Sequence, residues 1–138
     1  MTFRYDTMQQ KFGVAAMKKI LLVDSEAFFL QVLKRALQGP SMEVKTVETG
    51  KAALQEVAAF HYHLCLLDIY LTDIDGIEVL KRIAEISPKT KVIIMTAGDI
   101  TINMQQIIEK HAYMFLSKPF DLIQLRMLTK SIPGEVAS

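Results

Sequence analysis

The chain has 138 residues, enough for one domain with its own core and too few for two. Hydrophobic residues make up 51% of it and charged residues 22%, which is a globular rather than a disordered composition. The formal net charge of +1 leaves no basic surplus to neutralise a phosphate backbone, so a dedicated nucleic-acid binder is disfavoured. The single cysteine, Cys65, sits in an apolar run and offers no disulfide framework, consistent with a reducing cytoplasm. No apolar stretch reaches the length of a membrane span, and the N-terminus lacks the apolar core of a signal peptide. The eight methionines read as core filler rather than as a metal site.

In chain order, Met1 to Ala16 read as an N-terminal extension, loosely docked, because Met17-Lys18-Lys19 directly before a buried strand looks like a natural start. Ile20-Leu21-Leu22-Val23 is the first predicted strand. Phe29, Val32, Leu33, Ala36 and Leu37 then fall on one helical stripe, with Gly39-Pro40 as its stop. Met42 to Val47 is the second strand, followed by a weaker helical stripe at Leu54, Val57 and Ala58. Leu64-Cys65-Leu66-Leu67 is the third strand, and Ile77, Leu80 and Ala84 mark the helix after it. Val92-Ile93-Ile94-Met95 is the fourth strand, with Ile100, Met104, Ile107, Ile108 and His111 on its helix. Tyr113 to Leu116 is the fifth strand, and a last helix runs near Asp121 to Ser131. Three of the strands are apolar without alternation, as strands covered on both faces should be. The reading is (βα)5, a mostly parallel sheet with helices on both faces, in a domain spanning 17–132 with a short tail at 133–138.

Sites in such sheets form at the carboxyl ends of the strands. The first predicted strand ends in Asp24-Ser25-Glu26, the third in Asp68, the fourth in Thr96 and the fifth in Lys118-Pro119. Singly, each has a structural explanation: Asp24 or Ser25 caps the first helix, Thr96 makes a turn, and Lys118 is a solvated charge. Asp68 is harder to dismiss, since a carboxylate closing an apolar strand is unfavourable. Together they bring carboxylates, a hydroxyl and an ammonium to one edge. Clustered carboxylates suit a hard divalent cation such as Mg2+, and the cation and lysine suit a phosphoryl group in transfer. Asp68 is the candidate nucleophile, forming an acyl phosphate, with the Thr96 hydroxyl as donor to it.

Ile20 to Asp24, Leu66-Leu67-Asp68-Ile69 with Asp75-Gly76, Ile94-Met95-Thr96-Ala97 and Phe115 to Phe120 together resemble the receiver domain of bacterial two-component response regulators. The resemblance covers Lys18 to about Ser131. It implies a flavodoxin-like three-layer sandwich with strand order 2-1-3-4-5. It further implies that Asp68 takes its phosphoryl group from a histidine kinase or phosphotransfer protein. Mg2+ would be held by Asp24, Asp68 and the backbone carbonyl of Tyr70, with Glu26 as a further candidate. Lys118-Pro119 would be cis, aiming the ammonium inward, and Thr96 and Phe115 would form the switch. No enzymatic activity is expected beyond the phosphorylation and dephosphorylation of Asp68 itself.

The chain also departs from the family pattern. Ser25 stands where a second acid closes the first strand, so Mg2+ binding is expected to be weak; Ser25 is also expected to cap the helix. Thr72-Asp73 replaces a common Pro-Gly, and His111 with Tyr113-Met114 replaces glycine and two acids. The fourth-helix and fifth-strand face is thus more apolar than usual, and together with the fifth helix it is the expected contact surface for a downstream protein or for phosphorylation-dependent self-association. By family analogy Tyr70 and Gly98 tune acyl-phosphate lifetime, and a bulky Tyr70 favours a long one. Asp75 with Glu78 reads as a capping box, and His61 and His63 as a solvated turn. The expected function is a stand-alone cytoplasmic regulator; the alternative is a degenerate receiver that binds a partner without phosphate. A haloacid-dehalogenase-like phosphatase is disfavoured because Asp73-Ile74-Asp75-Gly76 does not directly follow a strand. A flavin carrier is disfavoured because the loop from Asp24 to Phe28 has no glycine-rich phosphate cradle.

Overall fold

The computed structural model describes residues 17–133; the expected extension and nearly all of the expected tail lie outside them. Five strands, β1 (Lys18–Val23), β2 (Met42–Val47), β3 (Leu64–Asp68), β4 (Lys91–Thr96) and β5 (Met114–Ser117), form one parallel sheet in the order β2-β1-β3-β4-β5. They alternate with helices α1 (Ala27–Leu37), α2 (Gly50–Ala59), α3 (Gly76–Ile86), α4 (Ile102–His111) and α5 (Leu122–Ser131). This is the expected flavodoxin-like (βα)5 sandwich.

Two apolar layers cover the sheet. α1 and α5 supply Leu30, Leu33, Leu37 and Leu125 against Ile20, Leu22, Leu64 and Leu66. α2, α3 and α4 supply Val57, Leu80, Ile83 and Ile108 against Leu21, Cys65, Leu67 and Ile94. Strand side chains alternate between these layers, which is why the inner strands must be apolar at nearly every position. β2, at the sheet edge, buries only Met42 and Val44 and points Glu43 and Lys45 outward. Burial pushes the Cys65 thiol up to about 12, so it behaves as an inert apolar filler.

Several local expectations shift. The buried stripe of α1 is Leu30, Leu33 and Leu37, while Phe29 sits at its margin beside the sheet's carboxyl edge. The helix ends through an extended Gln38, without a left-handed glycine cap. α1 is entered through Glu26 with no side-chain cap, so Ser25 does not cap it; Asp24 Oδ1 accepts the Glu26 N–H at 2.8 Å instead. β5 begins at Met114, although the Tyr113 N–H already donates to the Val92 carbonyl. Asp75 caps α3 by accepting the Ile77 N–H, but Glu78 reaches Arg82 and Lys81 rather than closing a capping box. His61 is exposed, whereas His63 is half-buried and its Nδ1 accepts the Lys19 N–H at 3.0 Å.

Two ties were not anticipated. Lys18, at the start of β1, is buried, and its Nζ donates to the Thr129 and Lys130 carbonyls, each at 2.9 Å. A cation thus satisfies carbonyls that the last turn of α5 leaves open. The loop after β3 is closed at its neck by Gly76, whose N–H donates to the Ile69 carbonyl at 3.0 Å. A Cβ on Gly76 would lie 2.2 Å from Ile69 Cα, whereas nothing stands within 4 Å of one on Gly39. Gly76→Ala should therefore cost about 1–3 kcal/mol or more through forced displacement of backbone. Gly39→Ala should be neutral or stabilise by about 0.4–1 kcal/mol through the unfolded state. Urea denaturation of both variants would check this; equal effects would contradict the close approach at Gly76.

Candidate functional site

The parallel register determines which residues meet. Val23 pairs with Leu67, so Asp24 and Asp68 follow at the same level on neighbouring strands. Asp68 pairs with Met95, and Thr96 pairs with Ser117, so Thr96 and Lys118 come next along the same edge. By alternation Asp68 follows Leu66 toward the α1/α5 layer, and Thr96 follows Ile94 toward the α4 layer.

The Lys118–Pro119 peptide is cis. Lys118 Nζ donates to Asp24 Oδ2 at 2.6 Å and to Asp68 Oδ2 at 3.1 Å. All three side chains are largely removed from solvent: 13% exposed for Lys118, 0% for Asp24 and 9% for Asp68. The remaining carboxylate oxygens accept backbone donors. Asp24 Oδ1 takes Glu26 N–H, and Asp68 Oδ1 takes Tyr70 N–H at 3.0 Å. Thr96 is buried, and its Oγ1 accepts the Gly98 N–H at 3.1 Å.

Electrostatically the cluster is short of positive charge. Burial raises the Asp68 carboxyl above its ordinary range; the Tyr70 N–H and Lys118 oppose this, Asp24 adds to it, and the net direction is up. Burial alone would lower the Lys118 ammonium, but its hydrogen bonds to Asp24 and Asp68 outweigh that and hold it raised. The donor set of hard carboxylate oxygens fits Mg2+, which would relieve the repulsion that one ammonium leaves. Glu26 is exposed, and among the described residues no group of three His, Cys, Asp or Glu converges as a metal site. The carboxylates of the site are therefore the pair Asp24 and Asp68.

The rim is built from two loops. The Tyr70 ring lies against Gly98, where a Cβ would come 2.3 Å from the ring, and the Tyr70 hydroxyl donates to the Asp99 carbonyl. On the other side, Asp73 accepts the Gly50 N–H at 2.8 Å and the Lys51 N–H at 2.9 Å at the start of α2. Those N–H groups hold the Asp73 carboxyl below the usual range. The sequence shows Asp73 only as a departure from a family pattern, since its partners lie more than twenty residues away. Phe115 is 36% exposed and borders a cavity of ≈ 290 Å³ lined also by Ile100, Gln105, Ile108 and Glu109.

Such a carboxyl-edge cluster sits on a flavodoxin-like α/β sheet order. The family model described as "Response regulator receiver domain" matches residues 20–130, and the chain belongs to that family. A CheY-like response regulator receiver domain protein from Methanospirillum hungatei JF-1 superposes with a TM-score of 0.78 at 26% identity, covering 83% of this chain and 92% of that one. Regulatory protein AtoC of Escherichia coli K12 is 30% identical over 117 residues, 85% of this chain but 25% of the relative. Transcriptional regulatory protein BasR of the same strain is 33% identical over 114 residues, 83% of this chain and 51% of the relative. The chain thus spans about a quarter to a half of the length of these curated relatives. Among the described residues no helix is long and apolar enough to cross a membrane.

The raised Asp68 carboxyl has a consequence for stability. In the unfolded chain it titrates near 3.8. Between that value and its higher folded value the native state binds more protons, so this group's contribution falls as pH rises through the window. Asp68→Asn removes the penalty: at pH 7 its melting temperature should equal or exceed the wild type's, and the difference should shrink as pH is lowered through the window. Thermal melts at several pH values check this; a variant clearly less stable at neutral pH would show that the Lys118 pairing dominates.

Proposed function

We propose that Asp68 accepts a phosphoryl group and that this resets a protein-interaction surface. The observation that carries the reading is the single ammonium of Lys118 shared between two buried carboxylates, Asp24 and Asp68. In the transfer, an Asp68 carboxylate oxygen forms a bond to phosphorus as the bond from phosphorus to a donor histidine nitrogen breaks, and the imidazole leaves. The donor is a histidine kinase or phosphotransfer protein. Lys118 neutralises charge on the phosphoryl oxygens, and the Thr96 hydroxyl donates to one of them. Asp24, Asp68 and the Tyr70 carbonyl would hold Mg2+; the ion would supply further neutralisation of the transferring group. Tyr70, packed across the rim on Gly98, restricts water and favours a long-lived acyl phosphate.

Phosphorylation adds about two negative charges beside Thr96. Thr96 turning toward them frees space under α4, and the cavity beside Phe115 gives that ring room to turn inward. The affected face is α4, β5 and α5, where Ile102, Tyr113, Ile123 and Met127 are all at least half exposed. We read it as the contact for a downstream protein or a second copy of this chain, in a cytoplasmic receiver unit spanning residues 17–132.

With acetyl phosphate and Mg2+, intact mass should show one phosphoryl adduct on the wild type and none on Asp68→Asn. An adduct that persists in the variant would refute the assignment; none on the wild type would favour a receiver that binds its partner without phosphate.

Ser25 sets the metal affinity. A ligand stabilises the fold by RT ln(1 + [L]/Kd), so thermal shift reports Kd. Millimolar Mg2+ should shift the wild type little and Ser25→Asp clearly more. Equal shifts would mean that Glu26 or water already fills the missing ligand's place.

A further inference from the structure

Lys118 has a third neighbour. Its Nζ lies 4.3 Å from the centroid of the Phe29 ring. Phe29 sits in the first turn of α1 and meets Phe120 edge-on, with centroids 6.1 Å apart at an interplanar angle of 64°. Both rings pack against the α1/α5 core, so the Phe29 face is fixed rather than free to swing away. An ammonium has three N–H bonds. Asp24 and Asp68 each accept one, and the electron-rich face of Phe29 receives the remaining side of the cation. Lys118 is only 13% exposed, and such contacts strengthen when water is excluded.

This contact gains weight because Ser25 is neutral and, among the described residues, no third acid joins the pair. Both carboxylates that hold Lys118 change partners in the proposed reaction. Asp68 loses its carboxylate charge when its oxygen bonds to phosphorus, and Asp24 must also serve the metal. Phe29 has no proton to lose, no charge to be neutralised and no affinity for a hard cation. We propose that Phe29 is a positioning residue, holding the Lys118 ammonium over the site by its π face while Asp24 and Asp68 exchange partners. The inference rests on Asp68 being the phosphoacceptor, but its first readout does not.

The test is a series at position 29: phenylalanine, its mono-, di- and trifluorinated forms, tryptophan and leucine. Fluorination keeps the ring's shape while draining its face of negative charge. In metal-free, unphosphorylated protein, the Lys118 Hε resonances should be displaced by the ring current in the wild type and lose that displacement in Phe29→Leu. With acetyl phosphate and saturating Mg2+, the phosphorylation rate should fall stepwise with fluorination, reach roughly tenfold below wild type in Phe29→Leu, and be retained in Phe29→Trp. The Mg2+ concentration for half-maximal rate should stay unchanged across the fluorinated series. A flat fluorinated series overturns the proposal even if Phe29→Leu is slow, because packing alone would then explain the loss. An undisplaced Hε signal in the wild type overturns it as well. If Hε is displaced but the wild type takes no phosphoryl group, the phosphoacceptor reading fails and this role goes with it. A wild type phosphorylated on Asp68 with a flat series removes only the role of Phe29.

Discussion

Two like charges side by side at the end of a buried sheet are the constraint around which this domain is arranged. Asp24 and Asp68 are placed together by strand register, and neither can move away without moving β1 against β3. One ammonium, carried across from the end of β5, is what makes the pairing tolerable at rest. Removing Lys118 would leave two buried carboxylates uncompensated, whereas removing one carboxylate leaves a balanced pair. On the proposed reading a cation or a phosphoryl group would change this balance, and the loops around the site are tied to its neighbours. The rim runs through Tyr70 to the backbone at Asp99 on one side and through Asp73 to the first turn of α2 on the other.

Much of this was legible in the sequence. Unbroken apolar runs ending in Asp24, Asp68 and Thr96 identify inner parallel strands and their functional edge together, because burial on both faces and a polar terminus leave few other readings. The convergence of Lys118 follows from the same sheet order. What the pattern did not show depends on rotation or on distance along the chain. A helical stripe does not fix helix rotation to within one residue, so it omits the buried Leu30 and places Phe29 inward, whereas Phe29 stands at the margin beside Lys118. In the sequence Lys18 is legible only as part of a start before a buried strand, yet its ammonium closes a helix more than a hundred residues away. No local signal carries such a contact. Serine favours the cap position, but at Ser25 the neighbouring Asp24 takes the local N–H instead.

The division of labour between the two faces follows from alternation. Asp68 belongs by parity to the α1/α5 side, where Phe29 and Phe120 frame Lys118. Thr96 belongs to the other side, where the cavity by Phe115 lies. The residues that hold the lysine and the cavity beside Phe115 thus lie on opposite layers of one sheet edge.

The Lys18 tie gives α5 a mechanical character. Its last turn is fastened to the beginning of β1, while its first turn rests beside Phe120 and the lysine-bearing loop. A rod pinned at one end pivots there, and its displacement grows along its length. An adjustment of the loop at Lys118 should therefore be felt more at Ile123 than at Thr129, the end of α5 that a buried ammonium fastens.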